Sequence, residues 1–179
     1  MRKIVAGLFI SLDGVIEDAN EWTGPWFNAE VGQAVGSMIA AQDAMLLGRV
    51  TYDAFAAHWP HQTGEMADTM NGTPKYVVSG TLPSADWQNT TLIPRDRAAE
   101  QIAGLKRQPG KDIGMTGSGT LVSWLLREGL LDELRLLVFP VVLGHGKRLF
   151  ADPGDKVPLK LIDSAVFETG VLNLNYVRA

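Results

Sequence analysis

The sequence contains no cysteine among its 179 residues and only three histidines. The missing thiols exclude disulfide bonds, thiol catalysis and zinc sites built from cysteine. None of the histidines, at positions 58, 61 and 145, forms a pair with the i, i+4 spacing of a helical metal site. We therefore expect no metal centre. A chain without disulfides is compatible with the reducing cytoplasm, which is the location that we expect.

Long apolar stretches and clusters of basic residues are also missing. No segment approaches the roughly 20 apolar residues that cross a bilayer, so we expect no membrane span. The chain has 16 Lys and Arg against 20 Asp and Glu, which gives a net charge of −4. This balance argues against nucleic acid or a membrane surface as a partner. With 46% hydrophobic residues, the composition is typical of one globular domain that spans residues 1–179.

Strand and helix patterns alternate over the first two thirds of the chain. Apolar, β-rich runs predict strands at 4–12, 44–47, 75–79, 90–93 and 112–116. Helical patterns lie at 29–42, 51–59, 97–107 and 120–128, and we expect polar loops at 17–28 and 60–73. The alternation is typical of an α/β fold in which helices flank a mostly parallel sheet.

Three strand-like runs follow with no helical pattern between them, at 133–143, 159–167 and 171–178. We expect them to add antiparallel strands at one edge of the sheet. The last run alternates apolar and polar residues through its middle, as expected of a strand with one face in water. The exposed edge of such a sheet has to be covered in some way.

Two glycine-containing turns lead from a predicted strand into a predicted helix. The first is Gly48-Arg49-Val50-Thr51 and the second is Gly117-Ser118-Gly119-Thr120-Leu121. Free N–H groups at a helix start favour a phosphate, and an arginine offers a fork of donors to its oxygens. Two such turns suit a ligand with two phosphate groups. Ordinary helix starts and tight structural turns are the alternatives that the residues alone leave open.

The order of these turns resembles the dihydrofolate reductase-like fold. It is most similar to the reductase domain of the bifunctional riboflavin-biosynthesis deaminase-reductase. Two more segments carry the resemblance: Ser11-Leu12-Asp13-Gly14, and the run from Pro140 to Phe150, which is similar to a Pro-Val-Leu-Leu-Gly-Gly-Gly sequence of those reductases. The resemblance implies a dihydrofolate reductase-like α/β fold, NADPH as cofactor, and hydride transfer to a small pterin-like, folate-like or pyrimidine-ribityl-like substrate.

The same resemblance gives roles to the two turns. It implies that Gly48, Arg49 and Thr51 bind phosphates of NADPH. It also implies that the segment Gly117-Ser118-Gly119-Thr120-Leu121 cradles the pyrophosphate. In the related fold a Gly-Gly pair with a cis peptide bond stands where this chain has Gly117-Ser118.

Further residues of the cofactor and substrate sites are also implied. Ser79 would approach the adenosine 2′-phosphate, with Arg95 and Arg97 as additional cations, although a serine in a turn and solvated arginines are the alternatives. In the run from Pro140 to Phe150, Lys147 or Arg148 would meet a substrate phosphate. Solvated cations in a glycine turn are the alternative there.

Two carboxylates are candidates for proton delivery or for orienting the substrate. Asp13 lies in the segment that borders nicotinamide and substrate in related reductases. Glu30 opens the first predicted helix, on which classical dihydrofolate reductases hold the pterin ring. The alternatives are a simple Asp-Gly turn at Asp13 and a glutamate that the helix dipole favours at Glu30. Trp22, Trp26 and Trp59 either line a pocket for a planar ligand or belong to the core.

Two other hypotheses belong to different functional classes. One is a non-catalytic nucleotide- or ligand-binding protein that retains the fold; it would bind NADPH without oxidising it. The other is a homodimeric domain whose pocket is filled by its own tryptophans; it would bind no dinucleotide. Related reductases pair through their edge strands, so we expect a homodimer.

Overall fold

The computed structural model describes residues 1–151 and 154–179. Eight strands form one sheet in the order β4-β3-β2-β5-β1-β6-β8-β7. The strands are β1 Ile4–Ser11, β2 Gln42–Gly48, β3 Lys75–Ser79, β4 Thr90–Pro94, β5 Asp112–Met115, β6 Glu133–Phe139, β7 Leu159–Val166 and β8 Leu172–Arg178. β1 to β6 run parallel, and β8 and β7 add antiparallel pairs at one edge. The predicted α/β class and its antiparallel C-terminal strands are thereby confirmed.

Six α-helices accompany the sheet in the described ranges. They are α1 Ala19–Trp22, α2 Ala29–Ala41, α3 Arg49–His58, α4 Glu65–Gly72, α5 Ala98–Arg107 and α6 Gly119–Arg127. Short 3-10 turns lie at Gly24–Trp26, Trp59–His61 and Arg95–Arg97. Among the described residues, no helix combines the length and the apolar character that a bilayer crossing requires.

Alternating side chains of the central strands supply a core on each face of the sheet. In β2, Ala44 and Leu46 pack into the cluster that contains residues of α5 and α6. Met45 and Leu47 pack on the other face, with residues of α3 and α4. Val31 of α2 forms a third cluster with side chains of β6. Because both faces of these strands are buried, they are continuous apolar runs in the sequence.

The predicted loop at 60–73 is wrong, because most of it forms the helix α4. Ala67 and Met70 lie one turn apart and are both buried. These two side chains give a mostly polar segment enough apolar contact to pack as a helix. The predicted loop at 17–28 is wrong in the same way, since it contains α1 and the turn Gly24–Trp26.

The predicted strand at 133–143 is too long, and only one of its two neighbouring strands is antiparallel to it. It ends at Phe139, because Pro140 has no N–H to donate to a neighbouring strand. β6 runs parallel to β1, from the pair Val5–Glu133 to the pair Ser11–Phe139. The helix α6 makes β6 parallel to β5, because a helical crossover returns the chain to the end of the sheet at which β5 began. On its other side β6 pairs antiparallel with β8, and β8 pairs antiparallel with β7.

The chain directions diverge between two neighbouring strands, β2 and β5. β2 leads through α3 to β3 on one side, and β5 leads through α6 to β6 on the other. At the carboxyl ends of such a pair the two connecting segments separate and leave a crevice. The turns after Gly48 and after Met115 therefore lie on the two sides of one crevice.

Candidate functional site

The two glycine-containing turns meet at this crevice. The N–H of Gly48 donates a hydrogen bond of 3.2 Å to the carbonyl oxygen of Gly117. α3 begins directly after Gly48, and α6 begins directly after Ser118. No side chain in the described part of the chain caps either helix start. The first N–H groups of both helices are therefore left for a ligand.

Two glycines permit this close approach of the turns. A Cβ on Gly48 would lie 2.9 Å from the backbone nitrogen of Ser118. A Cβ on Gly117 would lie 2.6 Å from Oγ1 of Thr51, and Gly117 has a φ of +148°, which other residues rarely adopt. The peptide bond between Gly117 and Ser118 is cis, as it is in the Gly-Gly pair of the related fold. The structure therefore brings the residues of the two predicted turns together.

Arg49 lies at the first position of α3 with its side chain about half exposed. Its Nη1 donates to Oγ1 of Thr81 at 2.7 Å, and its Nε donates to Oδ2 of Asp53 at 3.4 Å. These bonds hold the guanidinium at the helix start, on the side of β3. The positive charge adds to the potential of the uncapped N–H groups, so an anion is favoured there.

Ser79 is buried at the end of β3, and its hydroxyl stabilises the turn that follows. Its Oγ accepts hydrogen bonds from the N–H groups of Thr81, at 3.2 Å, and Leu82, at 3.0 Å. Ser79 borders a groove of about 710 Å³ that is also lined by Gly80, Leu82, Leu92, Pro94, Arg95 and Asp96. Arg97 instead pairs with Glu100 on the surface of α5, at 3.8 Å. Of the two arginines, Arg95 is the one that lines the groove.

Asp13, directly after β1, anchors a loop that comes from beyond β6. Its Oδ1 accepts from the Ser11 hydroxyl at 2.7 Å and from the Leu143 N–H at 3.1 Å, and its Oδ2 accepts from the Gly144 N–H at 2.9 Å. The Ser11 hydroxyl, followed by the N–H groups of Gly144 and Leu143, holds the pKa of the Asp13 carboxyl well below its usual range. Asp13 is consequently an ionised hydrogen-bond acceptor and a poor proton donor.

Glu30 lies in the first turn of α2, half-buried. Its Oε2 accepts from Nδ2 of Asn28 at 3.0 Å and from the N–H of Glu168 at 2.8 Å. The carboxylate therefore ties the start of α2 to the turn between β7 and β8. Both of these bonds are made by one oxygen, Oε2.

The three tryptophans considered for a ligand pocket pack with core side chains. Trp22 stands edge-on against Phe139 with ring centroids 5.6 Å apart, and Trp26 packs in the same cluster. Trp59 stands edge-on against Phe55 at 6.4 Å, in the cluster of α3 and α4. Their positions agree with the interpretation as core residues.

Sequence reasoning missed one residue that fixes the loop after β6. Oε2 of Glu17 accepts a hydrogen bond of 3.1 Å from the backbone N–H of Lys147. The two residues are 130 positions apart, so no local pattern indicates the contact. Among the described residues, no group of three or more His, Asp and Glu side chains comes together in the manner of a metal site.

Comparison with known proteins agrees with this geometry. A model of the family described as the RibD C-terminal domain matches residues 2–173. The chain belongs to the RibD C-terminal domain family. It is 32% identical to the uncharacterized protein YyaP of Bacillus subtilis (strain 168), over 98% of this chain and 94% of that protein. The family suggested by the resemblance is thus confirmed.

Solved structures show the same fold. A putative riboflavin biosynthesis protein from Shewanella sp. PV-4 superposes on this RibD C-terminal domain with a TM-score of 0.76 and 23% identity, over 99% of each chain. The dihydrofolate reductase of Enterococcus faecalis, complexed with NADP(H) and RAB-propyl, superposes with a TM-score of 0.67 and 14% identity, over 98% of this chain and 96% of that one. The chain therefore has the dihydrofolate reductase-like fold.

The residues at the crevice fit a ligand with two linked phosphates. Gly48 and Gly117 bring the two turns into backbone contact at the crevice. Two helix starts supply unbonded N–H groups on either side of it, and Arg49 supplies a positive charge. Hydrogen-bond donors and positive potential are the two features that a pyrophosphate requires.

Proposed function

We propose that this RibD C-terminal domain is an NADPH-dependent reductase that transfers hydride to a small planar pterin-like, folate-like or pyrimidine-ribityl-like substrate. The observation that carries the proposal is the junction of two uncapped helix starts at the hydrogen bond between Gly48 and Gly117. The family and the fold of the NADP(H)-complexed reductase from Enterococcus faecalis support it.

In this proposal each group at the crevice has one task. NADPH, when bound, supplies the hydride, and the protein supplies binding and orientation. Gly48, Arg49 and Thr51 bind one side of the phosphates, and the segment Gly117-Ser118-Gly119-Thr120-Leu121 binds the other. Ser79 offers its hydroxyl proton to the 2′-phosphate, since its oxygen already accepts two hydrogen bonds.

The two carboxylates divide the remaining tasks. Asp13 stays ionised and orients a donor group of the substrate, because its pKa lies well below the usual range. Glu30 is the candidate for proton delivery. Its Oε1 makes neither of the two bonds that hold the carboxylate.

The first test is direct binding. We expect NADPH to quench tryptophan fluorescence with a micromolar Kd and NADH to bind more weakly, because only NADPH carries the 2′-phosphate. Arg49→Gln should weaken NADPH binding about tenfold, the effect of one charge-assisted hydrogen bond. Arg97→Gln is the matched control, since in the described part of the chain its guanidinium pairs with exposed Glu100. Failure of the wild-type protein to bind either dinucleotide would contradict the proposal.

The second test separates a reductase from a binding protein. NADPH oxidation is followed by absorbance with pterin, folate and pyrimidine-ribityl acceptors. Turnover with one of them supports the reductase and names its substrate class. Tight NADPH binding with no oxidation by any acceptor would favour the non-catalytic binding protein instead.

A further inference from the structure

The segment from Pro140 to Leu149, here named the clamp loop, lies across the carboxyl end of β1. Its path is fixed by backbone hydrogen bonds along its length. The N–H of Leu12 donates to Val141 at 2.9 Å, and the N–H of Ile16 donates to Lys147 at 2.9 Å. Because backbone atoms make these bonds, the position of the loop depends little on any single side chain of its own.

Asp13 is the main side-chain anchor of the clamp loop. Besides its bonds to two loop N–H groups, it is held by Arg148. Nε of Arg148 donates to the carbonyl oxygen of Asp13 at 2.8 Å, and Nη2 lies 3.4 Å from Oδ2. Arg148 is therefore bound to Asp13. The side chain of Lys147, the other cation in the loop, extends in a different direction.

The Lys147 side chain reaches the start of α6. Its Nζ donates to Oγ1 of Thr120 at 3.3 Å, in the first turn of that helix. Among the described residues, no carboxylate oxygen lies within 4.0 Å of this ammonium group. An ammonium with no carboxylate partner among the described residues thus stands beside uncapped helix N–H groups, where it adds to an already positive potential. An anion bound at this point would neutralise the positive charge of the ammonium group.

We infer that Lys147 is a second cation for the pyrophosphate of the dinucleotide, opposite Arg49, and that Asp13 positions it by holding the clamp loop. The inference rests on the proposed function. In this inference Lys147 binds the cofactor rather than a phosphate group of the substrate.

The 2′-phosphate is a poorer candidate for the partner of Lys147. Thr120 follows β5, whereas the groove beside Ser79 and Arg95 lies at the ends of β3 and β4. β2 lies between β3 and β5, so the two places are separated by two strand spacings, about 10 Å. A lysine held at α6 by the clamp loop accordingly contacts the pyrophosphate and leaves the 2′-phosphate to other residues.

The test compares Lys147→Gln with the wild-type protein for NADPH, NADH and 2′-AMP. Because NADPH and NADH share the pyrophosphate, we expect both to bind about tenfold more weakly, with an unchanged ratio of their Kd values. 2′-AMP lacks the pyrophosphate and should bind as before. Lys147→Arg should restore most of the affinity, and Lys156→Gln, at an exposed position outside the helices and strands, is the matched control with no expected effect.

Each other outcome counts against the inference in a recognisable way. If the wild-type protein binds neither dinucleotide, the proposed function and the inference fall together. Unchanged binding by Lys147→Gln, while Arg49→Gln still weakens it, overturns the inference and leaves the proposed function intact. Weaker binding of NADPH alone would move Lys147 to the 2′-phosphate, and a change only in the KM of the acceptor would move it to the substrate.

The positioning role of Asp13 is tested with a double-mutant cycle on NADPH binding. Asp13→Asn alone should weaken binding several-fold, because the neutral side chain holds Arg148 and the loop N–H groups less firmly. In the Lys147→Gln protein the same change should have less than a twofold effect, because the group that Asp13 positions is already gone. If the effects of the two substitutions on the Kd of NADPH simply multiply, Asp13 does not position Lys147. Circular dichroism confirms that the variants remain folded.

Discussion

At the scale of single residues, the site depends on two glycines that have no side chain and on one arginine that supplies a charge. Gly48 and Gly117 let two helix starts come into backbone contact, and Arg49 adds charge beside them. The sequence pointed to all three residues, because a glycine at a strand-to-helix turn is a local feature. It did not point to the bonds between Asp13 and the loop N–H groups, which join residues 130 and 131 positions apart.

Gly48→Ala should impair the site directly. The new Cβ would lie 2.9 Å from the nitrogen of Ser118, so the two turns have to move apart. We expect a loss of about 1–3 kcal/mol in the free energy of unfolding, typical of overpacking, together with at least a tenfold loss of NADPH affinity. Urea denaturation and fluorescence titration measure the two effects.

Gly36→Ala is the control for this variant. Gly36 lies inside α2, and a Cβ there has nothing within 4 Å. Alanine should stabilise the helix by up to about 1 kcal/mol and leave NADPH binding unchanged. If Gly48→Ala bound NADPH as tightly as Gly36→Ala does, the two turns would not form the binding site.

At the scale of elements, the strands of the parallel sheet were predictable and the exceptions have clear causes. β3 has the predicted bounds, because a short β-rich run enclosed by turn residues leaves little choice. α4 was missed because its stability comes from burying Ala67 and Met70 against the rest of the molecule. The parallel pairing of β6 with β1 was not anticipated, because it depends on the crossover through α6, which the local pattern of 133–143 does not record.

The start of β6 carries an ion cluster that joins β6 to β8 and to the residue before β1. Glu133 is buried and accepts from Nζ of Lys3 at 2.7 Å and from Nη2 of Arg135 at 2.7 Å, with Nδ2 of Asn175 at 3.4 Å. Burial raises the pKa of Glu133, but the hydrogen bonds from Lys3 and Arg135 outweigh it and lower the pKa to about 2. The carboxylate is thus more acidic in the folded chain than its ordinary value of 4.5.

This shift predicts a specific loss of stability in acid. A carboxyl whose pKa is lower in the folded state stabilises the fold fully above its unfolded pKa, about 4.5, and loses that contribution as the pH falls to about 2. Glu133→Gln should therefore cost about 2–3 kcal/mol at pH 7 and progressively less between pH 4.5 and 2. Urea denaturation across this range measures the difference from wild type, with exposed Glu128→Gln as control. A difference that stays constant with pH would show that the ion cluster does not titrate as described.

At the scale of the whole molecule, the order of the strands decides where a site can form. The divergence of the chain between β2 and β5 brings together turns that are about 70 residues apart in the sequence. The same order places β7 at the outer edge of the sheet, where seven of its eight residues are exposed. Among them are the apolar residues Leu161, Ile162 and Val166.

We propose that two copies of the chain pair through the edge formed by β7, which gives the homodimer expected from the sequence. An exposed apolar edge strand offers unpaired backbone groups to a partner. The double variant Ile162→Lys, Val166→Lys should shift the protein from dimer to monomer in sedimentation or light scattering. Its circular dichroism spectrum should be unchanged, because both side chains are exposed in the single chain and the substitutions leave its core intact. Met66→Lys, at an exposed apolar residue of α4, is the control, and a monomeric wild-type protein would contradict the proposal.

The sequence by itself determined the α/β class, the turns that open α3 and α6, and the resemblance that the family model confirmed. These depend on neighbouring residues, and hydrophobic periodicity and turn chemistry are local properties of a chain. Only the tertiary structure decided that the two turns share a hydrogen bond, that β6 is parallel, that Asp13 holds the clamp loop, and that Lys147 rather than Arg148 reaches α6. Each of these depends on contacts between residues far apart in the sequence, which form only when the whole sheet has assembled.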